Sequence, residues 1–219
     1  MGTKVGVILS GCGVYDGAEI HESVITLLAL DRRGAEAVLC APDRPQLHVV
    51  NHLTGEVEEG ASRNVLVESA RIARGAIRDV AAVSADELDA LILPGGFGAA
   101  KNLCDFAVRG AECEVDDGVA ALVRAVHAQG KPVAAVCIAP ALLARVLGSE
   151  GPELTIGTDP GTAGALESMG ATHVQCPVRE FVVDRERKLI TSPAYMLAAS
   201  ISEAADGIEG TVKALLDMA

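Results

Sequence analysis

Aromatic side chains are nearly missing from this chain of 219 residues: they make up 2% of it, and there is no tryptophan. A core of any size must therefore be filled by Val, Ile, Leu and Ala, which is the habit of parallel sheets buried on both faces by helices. Basic residues are short as well, 18 Lys and Arg against 30 Asp and Glu. The net charge of −12 argues against a nucleic-acid or anionic-membrane partner. No apolar run approaches the roughly 20 residues that span a bilayer. Cysteine pairs with CxxC or CxxxC spacing are absent; Cys12, Cys40, Cys104, Cys113, Cys137 and Cys176 stand apart. Neither a structural zinc site nor a disulfide framework is expected. The opening Met1–Ser10 carries too short an apolar run for a secretory signal, and Gly6 stands where a myristoylation motif wants Ser or Thr. The expectation is one domain over residues 1–219 in the reduced cytoplasm, with no metal, no cofactor, no nucleic acid and no membrane.

What is present alternates between strand and helix. Val5–Leu9, Ala37–Ala41, Leu88–Leu93 and Pro132–Val136 read as buried strands. Ile20, Val24, Leu27 and Leu28 set an apolar stripe at helical spacing, with Gly34 as its stop. Val65–Ala73 reads as helix, and so does the stripe of Val119, Leu122, Val123 and Val126. Residues 42–60 are polar and irregular. After a short helix over Thr162–Met169, Phe181–Asp184 and Leu189–Thr191 flank a charged turn as an antiparallel hairpin, and a last helix runs roughly from Ile208 to Met218. This pattern predicts a doubly wound α/β sandwich, mainly parallel with a C-terminal hairpin, whose ligands gather at the carboxyl ends of the strands.

Three loops leave those ends carrying Gly11-Cys-Gly, Pro94-Gly-Gly and Cys137. Cys137 closes an apolar strand and opens a helical segment, the arrangement of a nucleophile elbow with a thiol in the nucleophile position. Amides at such a turn lower a thiol pKa and hold an oxyanion; equally, a buried cysteine is often a small apolar residue. Glu22, near the start of the first helix, is placed to hold a proton beside the thiol, or it merely complements the helix dipole. The amides of Gly96 and Ile138 are the candidate oxyanion donors, against the alternative of an ordinary tight turn. The first glycine loop matches a dinucleotide fingerprint only in part, since Asp16 falls where a third glycine belongs, and a nicotinamide cofactor is rejected. His21, His48, His52, His127 and His173 are scattered, and no His-x-Glu follows Cys137, which disfavours a glutaminase triad.

Five segments carry a resemblance. Ile8-Leu-Ser-Gly-Cys-Gly-Val-Tyr-Asp-Gly-Ala-Glu-Ile-His-Glu22, Val50-Asn-His-Leu-Thr-Gly55, Leu93-Pro-Gly-Gly-Phe-Gly-Ala-Ala-Lys-Asn-Leu103, Cys137-Ile-Ala-Pro140 and Thr191-Ser-Pro-Ala-Tyr-Met-Leu197 closely resemble the ElbB group. That group belongs to the PfpI-like branch of the class I glutamine amidotransferase-like superfamily and is named for isoprenoid biosynthesis. The resemblance implies a flavodoxin-like sandwich, usually a homodimer, with a glyoxalase activity that needs no glutathione or metal and turns the small dicarbonyl glyoxal into glycolate. It places the reactive cysteine on Cys137, the buried glutamate of Gly-Ala-Glu-x-x-Glu on Glu22 and the oxyanion glycine on Gly96. One departure stands out. The related parkinsonism-associated deglycase has a histidine before a proline after the elbow helix, where this chain has Asp159-Pro160. That departure supports an alternative, a regulatory or redox-sensing protein without catalysis.

Overall fold

Apart from a two-residue strand, Arg78–Asp79, that the sequence pattern does not mark, each strand of the central sheet begins or ends within a few residues of where the apolar runs do. In the computed structural model, which describes residues 2–219, β1 (Lys4–Ile8), α1 (Ile20–Arg32) and β2 (Glu36–Ala41) come first. Residues 42–64 cross the surface with only isolated bridges, Pro45 to Asn64 and Val50 to Val57. Then follow α2 (Val65–Ile72), β3 (Arg78–Asp79), β4 (Ala90–Leu93), α3 (Phe97–Lys101), α4 (Phe106–Arg109) and α5 (Asp117–Ala128). After β5 (Val133–Val136) and α6 (Pro140–Leu147) come β6 (Glu153–Leu154), α7 (Pro160–Ser168) and β7 (Thr172–His173). β8 (Val182–Asp184), β9 (Leu189–Ser192) and α8 (Ile201–Met218) complete the chain.

Seven strands form one sheet in the order β3-β2-β1-β4-β5-β9-β8. All neighbours are parallel except β8, which returns antiparallel on β9, pairing Val183 with Ile190. The sheet is the doubly wound sandwich that the pattern predicts, in the flavodoxin-like form that the resemblance implies. Its order reverses between β1 and β4, the crevice in which such sheets bind ligands. Alternate residues feed two cores. Val5, Val7, Ile92, Ala134 and Ile190 face α1 and α8, whereas Ile8, Leu91, Leu93, Val133 and Ala135 face α5, α6 and α7. The bulkiest fully buried side chains are all Leu and Ile, as the scarcity of aromatics requires.

Two helices depart from the reading of the sequence. The stripe of Ile20, Val24 and Leu28 lies on the outer face of α1, exposed at 43%, 49% and 41%. The inner face instead carries Glu22, Ser23, Ile25, Thr26, Ala29 and Leu30. Its shorter, partly polar side chains let the helix lie close to the sheet and bring a carboxyl inward, which an apolar-face rule reads backwards. α8 starts a full two turns before Ile208. The Ser200 hydroxyl accepts from the Glu203 amide and the Glu203 carboxylate accepts from the Ala199 amide, so a cap at Ser200-x-x-Glu203 starts it. Gly207 disguises the helix in the sequence. Its missing side chain lets α8 approach β9, where a Cβ would stand 2.6 Å from Ser192 Oγ.

Candidate active site

The site forms where β1, β4, β5 and β9 end. β5 stops at Val136, and Cys137 takes a φ of +61°, a left-handed conformation that costs a side-chain-bearing residue roughly 1–2 kcal/mol. Its amide donates to the Ser192 carbonyl at 2.9 Å, and the Ala139 amide closes the turn on Val136 at 3.1 Å. Pro140, with no amide hydrogen to satisfy, then opens α6. The strand-to-helix elbow is therefore present, with the thiol 7% exposed at its apex.

Glu22 reaches the same point from the first turn of α1 and has no exposed surface. Its Oε2 accepts from the Gly95 amide at 3.0 Å and its Oε1 from the Tyr195 amide at 3.1 Å. The Gly95 carbonyl in turn accepts from the Glu19 amide at 2.9 Å, so the loop after β4 is stitched to the start of α1. Only glycine fits at 95. A Cβ there would overlap that of Cys137 and stand 2.8 Å from Glu22 Oε2 and 3.0 Å from Cys137 Sγ.

Electrostatics make thiol and carboxyl one unit. Burial above all, with the neighbouring Glu19 acting in the same direction, raises the Glu22 pKa from 4.5 to about 7 against the opposing hydrogen bonds from Tyr195, Cys137 and Gly95. Burial also pushes the Cys137 thiol well above its ordinary value, with the Glu22 charge acting in the same direction, while amides of Gly96 and Ile138 pull it down. Amides alone would lower this thiol; burial outweighs them. A thiol beside a carboxylate and a thiolate beside a carboxylic acid are two placements of a single proton.

All four residues singled out in the sequence, Cys137, Glu22, Gly96 and Ile138, thus converge. Neither the Gly96 nor the Ile138 amide donates to a main-chain carbonyl, which leaves both turned toward the sulfur. Cys12 is not among them: its charged neighbours are Glu68, Arg71, Asp16 and Arg63. Asp16 serves the strap over residues 42–64, since its buried carboxylate accepts from the Val50 amide at 2.8 Å. Asp159 caps α7, accepting from the Thr162 amide at 2.7 Å and hydroxyl at 2.6 Å. These bonds lower its pKa and make it a helix cap rather than a base. The sequence marks the loop of Gly95 but not the bond of its amide to Glu22, and it does not mark Tyr195, whose amide also reaches Glu22, or His21, whose Nδ1 lies 2.8 Å from the Tyr195 hydroxyl. A main-chain donor can be placed by its loop, but the side chain it reaches cannot be read from residue type. Surface clefts of about 490 Å³ beside Arg124, His127 and Glu150 and about 450 Å³ beside Lys4, Val38 and Ile77 touch none of these residues. Among the described residues, no three His, Cys, Asp or Glu side chains gather as a metal site.

A doubly wound sheet with a cysteine elbow over a buried glutamate defines a class I glutamine amidotransferase-like domain. The chain belongs to the DJ-1/PfpI family, whose pattern matches residues 12–201. It is 47% identical to the human glutamine amidotransferase-like class 1 domain-containing protein 3, mitochondrial, over 98% of this chain and 83% of that protein. Among solved structures, the isoprenoid biosynthesis protein with amidotransferase-like domain from Ehrlichia chaffeensis superposes with a TM-score of 0.91. It is 35% identical and covers 98% of this chain and 99% of its own. Glyoxalase III from Candida albicans shares the fold at a TM-score of 0.63 and 16% identity, over 97% of each chain. The mitochondrial human relative overturns the expectation of a cytoplasmic location. That expectation rested on the absence of an export signal and of paired cysteines, and a reduced interior is not unique to the cytoplasm.

The shifted carboxyl has a consequence for stability. Because the folded pKa of Glu22, about 7, lies above the ordinary 4.5, its protonation stabilises the fold below that window. The contribution is lost as pH rises through about 7. Urea denaturation of the native protein and of Glu22→Gln should show their stability difference moving against the native chain by on the order of 3 kcal/mol across the window. A difference that stays flat with pH would mean that Glu22 titrates normally.

Proposed function

We propose that the chain is a glyoxalase of the ElbB kind, converting glyoxal to glycolate without glutathione or a metal. The observation that carries this reading is the Glu22 carboxyl, raised to about 7 and hydrogen-bonded to Cys137. A proton acceptor of that strength, fixed beside a nucleophile, suits a reaction in which a proton must leave one carbon and return to its neighbour. Cys137 sulfur adds to one aldehyde carbon, giving a hemithioacetal whose oxygen faces the Gly96 and Ile138 amides. Glu22 takes the proton from that carbon, an enediol forms, and the proton returns to the second carbon. One carbon is oxidised to a thioester and the other reduced to an alcohol, so no outside oxidant or reductant is needed. Water then cleaves the thioester, releasing glycolate and the thiol. The sharing of fold with glyoxalase III supports the reading at the level of architecture. The isoprenoid link in the name of the Ehrlichia protein fits the ElbB likeness.

A second reading, a redox-sensing or regulatory protein, is favoured by one observation: Asp159 is committed to capping α7 and supplies no base. Purified protein incubated with glyoxal separates the two. Glycolate should form, and Cys137→Ala and Glu22→Gln should each lower turnover by about a hundredfold or more. Substantial glycolate formation by folded Cys137→Ala would remove the enzyme assignment. No turnover in the native chain would leave the regulatory reading.

The homodimer belongs to the same proposal. The exposed stripe of Ile20, Val24 and Leu28 on α1 is apolar surface that a second copy would cover. Sedimentation velocity should show a dimer that Val24→Asp dissociates; a native monomer at micromolar concentration would refute it.

A further inference from the structure

α1 grips one residue of the β9–α8 connection twice. Glu22 accepts from the Tyr195 amide at 3.1 Å, and one position earlier His21 Nδ1 meets the Tyr195 hydroxyl at 2.8 Å. The two rings lie 5.8 Å apart between centroids. The first contact is part-buried and belongs to the reactive pair, whereas the second is exposed and no step of the chemistry above uses it. Ala194, between Ser192 and Tyr195, holds a φ of +42°. A side-chain-bearing residue stays in that region only where its surroundings over-determine it. On one side the connection is fixed by the Ser192 carbonyl, which accepts from the Cys137 amide at 2.9 Å. On the other side, Tyr195 lies in a short 3-10 turn over Ala194–Met196, closed by bonds from the Met196 amide to the Pro193 carbonyl and from the Ala198 amide to the Ala194 carbonyl. Its hydrogen bonds outside that turn are with Glu22 and His21.

The ionised form of Glu22 depends on that connection. Two main-chain amides stabilise its charge, from Gly95 and from Tyr195. Of the two, Gly95 is locked by the glycine-only contact with Cys137, while Tyr195 sits partly buried in a short turn just after the left-handed Ala194. The titratable groups that face Glu22 are Glu19 on its own helix and Cys137 on the elbow. Tyr195 faces it from the β9–α8 connection, where its hydroxyl proton is held more tightly by burial and by the charges of Glu19 and Glu22.

We propose that His21 is a positioning residue: by holding the Tyr195 hydroxyl it keeps the Tyr195 amide on Glu22, and so sets how readily Glu22 gives up its proton. The inference rests on Glu22 and Cys137 forming the reactive pair and not on glyoxal being the substrate. Loss of the tether loosens a hydrogen bond to the carboxylate but not to the acid, and Glu22 then keeps its proton to higher pH.

The test follows the Glu22 carboxyl by carbon NMR in full-length Cys137→Ala protein, where Glu22 titrates without the thiol. Tyr195→Phe removes the hydroxyl and keeps ring and amide; His21→Phe removes the ring nitrogen; His21→Asn places an amide nitrogen near the position of Nδ1. Tyr195→Phe and His21→Phe should each raise the midpoint by about half a pH unit or more. The two together should raise it no further than the larger single shift, because both cut one tether. His21→Asn should restore most of the parent value. An unmoved midpoint in folded Tyr195→Phe or His21→Phe overturns the proposal, and so do additive shifts. If Tyr195→Phe does not fold, exposed His21 decides the matter through the contrast of His21→Phe with His21→Asn. Glyoxal turnover is not the readout, so a failed tether and a failed enzyme assignment remain distinct results.

Discussion

A carboxyl and a thiol buried against each other form the interaction on which the rest of this structure depends. Two unscreened negative charges in that space would be costly, and both groups respond by holding protons more tightly than in water. Several local oddities follow from it. Glycine is required at 95 because thiol and carboxyl both occupy the space a side chain would take. α1 turns a partly polar face to the sheet because Glu22 must point inward, and its apolar stripe is left outside. Cys137 sits in a left-handed conformation because only a sharp elbow lifts the sulfur above the end of β5.

The proposed reaction on a small, neutral carbonyl compound draws on the same pair. Its polar surroundings are the amides of Gly96 and Ile138, the carboxyls of Glu22 and Glu19, and the thiol. Amides stabilise an alkoxide formed on addition of sulfur. A carboxyl titrating near neutrality exchanges protons in both directions at little cost in driving force.

Much of this is legible in the sequence. Strands of Val, Ile, Leu and Ala ending in glycine-rich loops define the sheet and the edge on which loops gather. Cys137 and Glu22 can be named because a thiol after a strand and an acid early in a helix are residue types with a place in the fold. What stays hidden has physical reasons. The Tyr195 and Gly95 amides act through the main chain, and residue type does not encode that Glu22 is the side chain they reach. The outer position of Ile20, Val24 and Leu28 reverses the usual amphipathic rule because a functional side chain claims the inner face. α8 reads short because Gly207, needed for close approach to β9, looks like a helix breaker and cuts the helix off from its cap at Ser200-x-x-Glu203. Asp16, a carboxylate in a glycine loop, tethers residues 42–64 through Val50, a partner 34 positions away that local pattern cannot supply.

The coupling of thiol and carboxyl is most directly tested by infrared spectroscopy of the native protein across a pH titration, with the Glu22 carboxyl band assigned by isotope labelling. A protonated carboxyl band that persists to about pH 7, and that shifts when Cys137 is alkylated, is the expected result. A Glu22 already ionised near pH 4.5 and indifferent to alkylation would show that thiol and carboxyl are neighbours without being coupled.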